Sequence, residues 1–262
     1  YLDVDEKGFI KLDELVNAIK QTTILISIMF ANNEIGTIQP IDLIGNLAKQ
    51  KGILFHTDSV QAIGNIRIDV NKFHIDLLSM SGHKFYAPKG IGALYVRDGV
   101  KFEKIQDGGH QERDKRAGTE NVAEIVGLGE AIDEIYKNYD DYNQKLKELR
   151  DFYISEIQKR IPEAKLNGDK VKRLSGNANI SFPGVNAQEL LLALDEKGIC
   201  ASAGSACSSG SNSPSHVLTA IGLNQELSKG ALRTTFGKSN TKEDVEFLVD
   251  SLEEIILKIK DR

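Results

Sequence analysis

Ile75-Asp76-Leu77-Leu78-Ser79-Met80-Ser81-Gly82-His83-Lys84 is a short apolar run closed by a polar tetrad. The run from Ile75 to Met80 predicts a buried strand. Phe85-Tyr86-Ala87-Pro88-Lys89-Gly90 follows, and its proline and glycine stop regular structure. Lys84 therefore ends a strand, beside a serine and a histidine. Partial burial there would lower its pKa and free the amine to attack an aldehyde. A surface lysine in a turn is the plain alternative. Two upstream stretches weigh against it.

His56-Thr57-Asp58-Ser59-Val60-Gln61 follows the strand-like Ile53-Leu54-Phe55. Asp58 thus lies near the C-terminal end of a strand, where open α/β sheets bind ligands. A pyridoxal phosphate (PLP) site needs a carboxylate there, to keep the pyridinium nitrogen protonated and the ring electron-withdrawing. Asn32-Asn33-Glu34-Ile35-Gly36 ends another apolar run, Ile24 to Ala31. Its amides suit a ring oxygen or a substrate carboxylate. A helix-like stretch from Ile41 to Lys51, closed by Gly52, separates the first two strands. Short apolar strands with a helix between them predict an α/β fold with a mainly parallel, doubly covered sheet.

With Arg116-Ala117-Gly118-Thr119-Glu120-Asn121 and Ser202-Ala203-Gly204-Ser205-Ala206-Cys207-Ser208, these stretches make five motifs in one order. That order resembles the cysteine desulfurases of the NifS or IscS kind, PLP enzymes of fold type I in the class V aminotransferase superfamily. The resemblance runs from the first residue to the last. It implies a PLP-binding large domain over residues 1–138 and a small α+β domain over 139–262. Members of that family also carry an earlier Gly/Thr loop for the cofactor phosphate and a histidine that stacks on the ring. Neither is in this sequence, so the large domain is expected to lack its N-terminal part.

The resemblance also implies roles. Lys84 would hold PLP as a Schiff base and then move substrate protons, with His83 and Cys207 as its catalytic companions. Asp58 would hold the pyridinium proton, and Gln61 and Asn33 would meet the ring oxygen. Ser81 and His83 would meet the phosphate. Thr119 would reach the phosphate of the other subunit, which implies a homodimer. Arg233 would bind the substrate carboxylate with its guanidinium fork, together with Asn33. Residue by residue there are plain alternatives: a helix-start polar group for Gln61, turn chemistry for Ser81 and His83, an N-cap for Thr119, a strand-edge arginine for Arg233. Near Thr119 the sequence departs from relatives, which often have a third glycine where His110-Gln111-Glu112 stands.

Cys207 sits among Gly204, Ser205, Ala206, Ser208, Ser209 and Gly210. A structural cysteine has apolar neighbours, whereas small ones suit an exposed, moving nucleophile. Mobility is therefore expected from Ala201 to Pro214. Cys200, after Ile199, is expected to be buried. The activity implied is removal of sulfur from L-cysteine, leaving alanine and a persulfide for an iron–sulfur scaffold or a sulfur carrier. A selenocysteine lyase, a class V aminotransferase, or a fragment that only dimerises or binds a scaffold are the alternatives.

The net charge of −5 argues against a nucleic-acid surface. No apolar run approaches membrane-spanning length. Two cysteines fit a reducing cytoplasm better than a disulfide scaffold. The five histidines are scattered, and no metal is expected. Asp3 to Glu14 nearly matches a calcium loop, but Lys7 occupies a ligand position and no entering helix precedes it. A polar turn, with Asp13 capping a short helix, is the better reading. Further helices are expected over Val122–Tyr136, Leu146–Ile161 and Ala187–Lys197, and after Thr241. Strands are expected over 179–182 and 233–236. The polar run from Lys137 to Gln144 reads as a solvated continuation of the first helix.

Overall fold

In the computed structural model, which describes residues 1–204 and 215–261, the strand read from Ile75 spans Leu77–Ser81. In chain order the elements are α1 (Leu12–Ala18), β1 (Leu25–Ser27), α2 (Ile41–Lys51), β2 (Leu54–Asp58), β3 (Leu77–Ser81), a 3-10 turn (Gly82–Phe85) and β4 (Gly92–Val96). There follow α3 (Gln111–Asp114), α4 (Val122–Lys137), α5 (Tyr139–Arg160), β5 (Lys165–Leu166), β6 (Asn177–Ser181), α6 (Ala187–Asp195), α7 (His216–Ala220), α8 (Gln225–Lys229), β7 (Ala231–Thr235) and α9 (Lys242–Lys260).

Residues 20–30 and 40–139 form one compact unit. Its sheet has the order β1-β2-β3-β4. The first three strands are parallel, with Leu25 opposite Leu54 and Asp58 opposite Ser79. β4 runs antiparallel to β3. A parallel crossover needs about a dozen residues or more, and the link from Ser81 to Gly92 is a tight turn and a short loop. α2 makes the crossover from β1 to β2 and buries Ile41, Ile44 and Ala48. It stops at Gly52, whose φ of 66° lies in the left-handed region that favours glycine. Phe55, Ile75 and Leu78 fill the core beneath the sheet.

Residues 1–19, 31–39 and 140–262 form the second unit. Its sheet is antiparallel, in the order β5-β6-β7. Every residue of β6 is buried. Leu146, Tyr153 and Ile157 of α5, Leu190 and Leu194 of α6, and Val245 and Leu252 of α9 share one core with Ile180 and Leu232. This is an α+β arrangement. A single cut at 138–139 does not describe the two units, because residues 1–19 and 31–39 join the later one. Buried side chains hold them there, as the Arg173 guanidinium donates to the Ile35 carbonyl at 3.1 Å.

Several local readings change. The stretch from Asp3 is a tight turn closed by a Val4–Ile10 bridge, and Asp5 accepts from the Lys7 and Phe9 amides at 2.9 Å each. Lys11, not Asp13, stands at the N-cap of α1 and makes no side-chain capping bond. Asp13 lies two positions further in, where a carboxylate still complements the helix dipole. Beyond Lys137, the last residue of α4, the polar run does not continue that helix. The backbone breaks at Asn138 (φ −111°, ψ 21°), and α5 begins at Tyr139, ahead of the first apolar residue of its stripe. Thr241 caps α9 in a reciprocal box with Asp244.

Candidate active site

Asp58 and Ser81 are the last residues of β2 and β3, so both stand at the C-terminal end of the parallel strands. The next residue, Gly82, is enclosed: a β-carbon there would lie 2.9 Å from Ala87 Cβ and from Ile91 Cγ2. The 3-10 turn that follows drives Phe85 into the core and leaves His83 and Lys84 exposed. The expected partial burial of Lys84 is thus corrected. Phe85 occupies the apolar space, and the lysine stem turns to solvent. The Asp58 carboxylate accepts from the Val60 amide at 2.9 Å and is itself exposed. Gln61 lies half-buried in the turn that begins there.

His56 lies two residues before Asp58, hence on the same face of β2. Its Nδ1 is 2.7 Å from Ser27 Oγ on β1, and its Nε2 is 2.9 Å from Ser79 Oγ on β3. A neutral ring serves both: one nitrogen donates to a serine while the other accepts a hydroxyl proton. Desolvation lowers the His56 pKa, and the Asp58 charge opposes that shift. In sequence, His56 is placed by strand alternation from Asp58, two residues on.

Thr119 is exposed, and it does not cap α4. Asn121 does, its Oδ1 accepting from the Glu124 amide at 3.4 Å. In the divergent loop before it, Glu112, Arg113 and Asp114 take left-handed backbone angles (φ 51°, 56° and 62°).

Asn33 and Arg233 belong to the second unit, and the structure brings them together. The Arg233 guanidinium donates to the Asn33 carbonyl at 3.1 Å. Asn32 folds the peptide, its Oδ1 accepting from the Glu34 and Ile35 amides at 2.9 and 3.0 Å. Arg173, 4% exposed, donates to the carbonyls of Ile35, Asn167, Asp169 and Asn177. Desolvation, reinforced by Arg150, lowers its pKa to about 10, so the guanidinium stays charged at neutral pH. Glu34 is 1% exposed. It went unassigned in the sequence, although a carboxylate inside a glycine-ended turn signals a hydrogen-bonding duty.

Cys200 is exposed, against expectation. Gly198, at φ 75°, ends α6 with its amide on Asp195 and the Ile199 amide on Leu194. That C-terminal motif turns Ile199 onto the core cluster and sends the next side chain outward. Cys207 lies outside the described residues, as does the mobility expected beyond Gly204.

A primary amine, a carboxylate, an amide, a hydroxyl and an imidazole, at the ends of two adjacent parallel strands, form a donor set that fits pyridoxal phosphate. Among the described residues no cluster of His, Cys, Asp and Glu could hold a metal ion, and no helix is long and apolar enough to cross a membrane.

Residues 1–248 match the aminotransferase class-V family. A cysteine desulfurase IscS of Clostridium botulinum is 55% identical over 258 residues, which are 98% of this chain and 65% of that protein. The chain thus spans about two thirds of that relative's length. A solved NifS-like protein superposes with a TM-score of 0.90 at 35% identity, over 98% of this chain and 67% of the other. A structure described as SspA in complex with cysteine gives a TM-score of 0.75 at 37% identity, over 92% and 67%.

Proposed function

This chain belongs to the aminotransferase class-V family, whose cofactor is pyridoxal 5′-phosphate, and on that premise we propose that it carries the chemistry of a cysteine desulfurase. The observation that carries the reading is the pairing of Asp58 and the Ser81–Lys84 turn at the ends of adjacent parallel strands. The likeness to proteins named cysteine desulfurase, and to one solved with cysteine, supports L-cysteine as the substrate.

Bound there, pyridoxal phosphate supplies an electron sink for the bond changes at the substrate. Lys84 Nζ anchors the cofactor, then takes and returns a proton at the substrate α-carbon. The Asp58 carboxylate holds the ring-nitrogen proton. Gln61 and Asn33 donate to the ring oxygen, and Ser81, His83 and a second subunit's copy of Thr119 hold the phosphate. Arg233 binds the substrate carboxylate as a fork. Its bond to the Asn33 carbonyl orients the guanidinium beforehand. The Cys207 thiolate attacks the substrate sulfur. An S–S bond forms, the Cβ–S bond breaks, and its electron pair takes a proton at carbon to give alanine. The persulfide left on Cys207 passes to an iron–sulfur scaffold or another sulfur carrier. The working form is a homodimer in a reducing cytoplasm.

The test is to incubate PLP-loaded protein with sulfur-labelled cysteine and locate the label by peptide mass. Cys207→Ser should bind cysteine and form no persulfide, and Cys200→Ser should form it normally. Alanine formed at the normal rate by Cys207→Ser would leave a lyase reading standing instead, and a keto acid in place of alanine would leave an aminotransferase one.

A further inference from the structure

Glu34 lies between Asn33 and Ile35 in the peptide that Asn32 folds, and its side chain and backbone hold different partners. The backbone carbonyl accepts from Asn177 Nδ2 at 3.4 Å and Asn179 Nδ2 at 3.3 Å, both on β6. The carboxylate is buried, and its Oε2 accepts from Ser215 Oγ at 2.6 Å. Ser215 Oγ in turn accepts from the Val217 and Leu218 amides at 3.1 and 3.4 Å, so it is the N-cap of α7. On the other side, a β-carbon built at Gly204 would stand 3.5 Å from Glu34 Oε2 and 3.7 Å from Ser215 Cβ. Ser202 and Arg233 exchange backbone bonds at 2.7 and 3.2 Å, and Ser202 Oγ donates to the Gly204 carbonyl at 3.2 Å. One carboxylate oxygen therefore binds Ser215 and lies beside Gly204, while the neighbouring peptide carries the Arg233 contact.

We propose that Glu34 is a positioning residue for sulfur transfer: its carboxylate holds Ser215, where the chain re-enters after Cys207, beside Gly204 and in fixed relation to Asn33 and Arg233. The proposal rests on the desulfurase reading for its purpose but not for its geometry. Cys207 lies in sequence between two anchors: Ser202, bonded to the backbone of Arg233, and Ser215, bonded to the Glu34 carboxylate next to Asn33. What matters is the reach of the acceptor oxygen rather than its charge. Ser215 needs an acceptor at hydrogen-bond distance, which an amide oxygen supplies equally well.

The experiment compares Glu34→Gln, which keeps the reach, with Glu34→Asp, which keeps the charge and withdraws the carboxylate by about 1.5 Å. Amide exchange at Val217 and Leu218 is read first, on the full chain without cofactor. We expect exchange roughly tenfold faster in Glu34→Asp and within about twofold of the parent in Glu34→Gln. In a Ser215→Ala background, Glu34→Asp should add nothing. In PLP-loaded protein, Glu34→Asp should lower kcat about fivefold or more and leave KM for cysteine within about twofold, since the Asn33 carbonyl that orients Arg233 is backbone. Unchanged exchange in Glu34→Asp, or equal acceleration in Glu34→Gln, overturns the proposal. Exchange needs no turnover, so protein that makes no persulfide defeats the desulfurase reading while the clasp is still judged. Normal exchange with normal persulfide formation in Glu34→Asp defeats the clasp alone.

Discussion

Gly82→Ala tests whether close packing fixes the turn that carries Lys84. The added β-carbon would meet Ala87 Cβ and Ile91 Cγ2 at 2.9 Å and Leu128 Cδ1 at 3.0 Å. Carbon atoms pack best at about 3.5–4.0 Å, so each contact is too close by about 0.5–1 Å. Ala87 Cβ cannot rotate away, and Leu128 is buried on α4. Relief must come from the backbone. There the Gly82 amide donates to the Ile91 carbonyl at 2.9 Å, and the Gly82 carbonyl accepts from the Ala87 amide at 3.1 Å. Overpacking of this kind costs about 1–3 kcal/mol. The lost freedom of the unfolded chain returns about 0.4–1 kcal/mol, because Gly82 does not need a positive φ. We expect a net loss of about 1–2 kcal/mol. Gly129→Ala is the control: it lies within α4, nothing stands near its β-carbon position, and it should gain about 0.5–1 kcal/mol. Urea titrations followed by far-UV circular dichroism measure both as midpoint shifts at constant slope. Equal midpoints for Gly82→Ala and the parent, or a Gly129→Ala loss as large as that of Gly82→Ala, would refute the packing argument.

Asp58→Asn should lower turnover by about tenfold or more and change cofactor retention far less, because an amide holds the ring proton more weakly than a carboxylate. Alanine formation and equilibrium dialysis read the two quantities. His56 has a folded pKa below its ordinary 6.5, mainly from desolvation, so the folded state binds this proton less readily than the unfolded chain. Its contribution to stability is present above 6.5 and is lost as the pH falls from there through the lowered value. The acid-side loss of the urea midpoint should therefore be shallower in His56→Gln than in the parent. Thr241→Ala removes one half of the capping box and should cost about 1 kcal/mol, read as the same midpoint shift.

The strands were legible because short apolar runs with turn residues behind them have few other fates. Leu77 to Ser81 and Leu54 to Asp58 are such runs, and α2 was legible to its last residue because Gly52 marks it. The direction of β4 was not, since periodicity reports burial and says nothing about how the chain enters a strand. α7 and α8 were missed because five residues are too few to show a stripe. Their N-caps, Ser215 and Asn224, are the signals that were there. Lys84 was placed at the right end of the right strand with the wrong exposure. The deciding competitor was Phe85, one residue on, which takes the apolar space. Cys200 failed similarly, because Gly198 reverses the chain before it. The Asn33–Arg233 pairing was implied by resemblance alone, as no local pattern links residues 200 apart.

That separation bears on the order in which a ribosome delivers the parts. β1, β2 and β3 lie within a short stretch, so the sheet strands that lead to Asp58 and Lys84 are all made soon after residue 84 is added. The Asn32–Gly36 peptide is older than that sheet's last strand, yet its partners are made much later. Ile35 waits for Arg173, 138 residues on, and Asn33 waits for Arg233, 200 residues on. At about 5–20 residues per second, the second wait is roughly 10–40 s. During synthesis this peptide is therefore translated early and completed late. A ribosome stalled near residue 170 would display the acid and the lysine without the arginine beside Asn33.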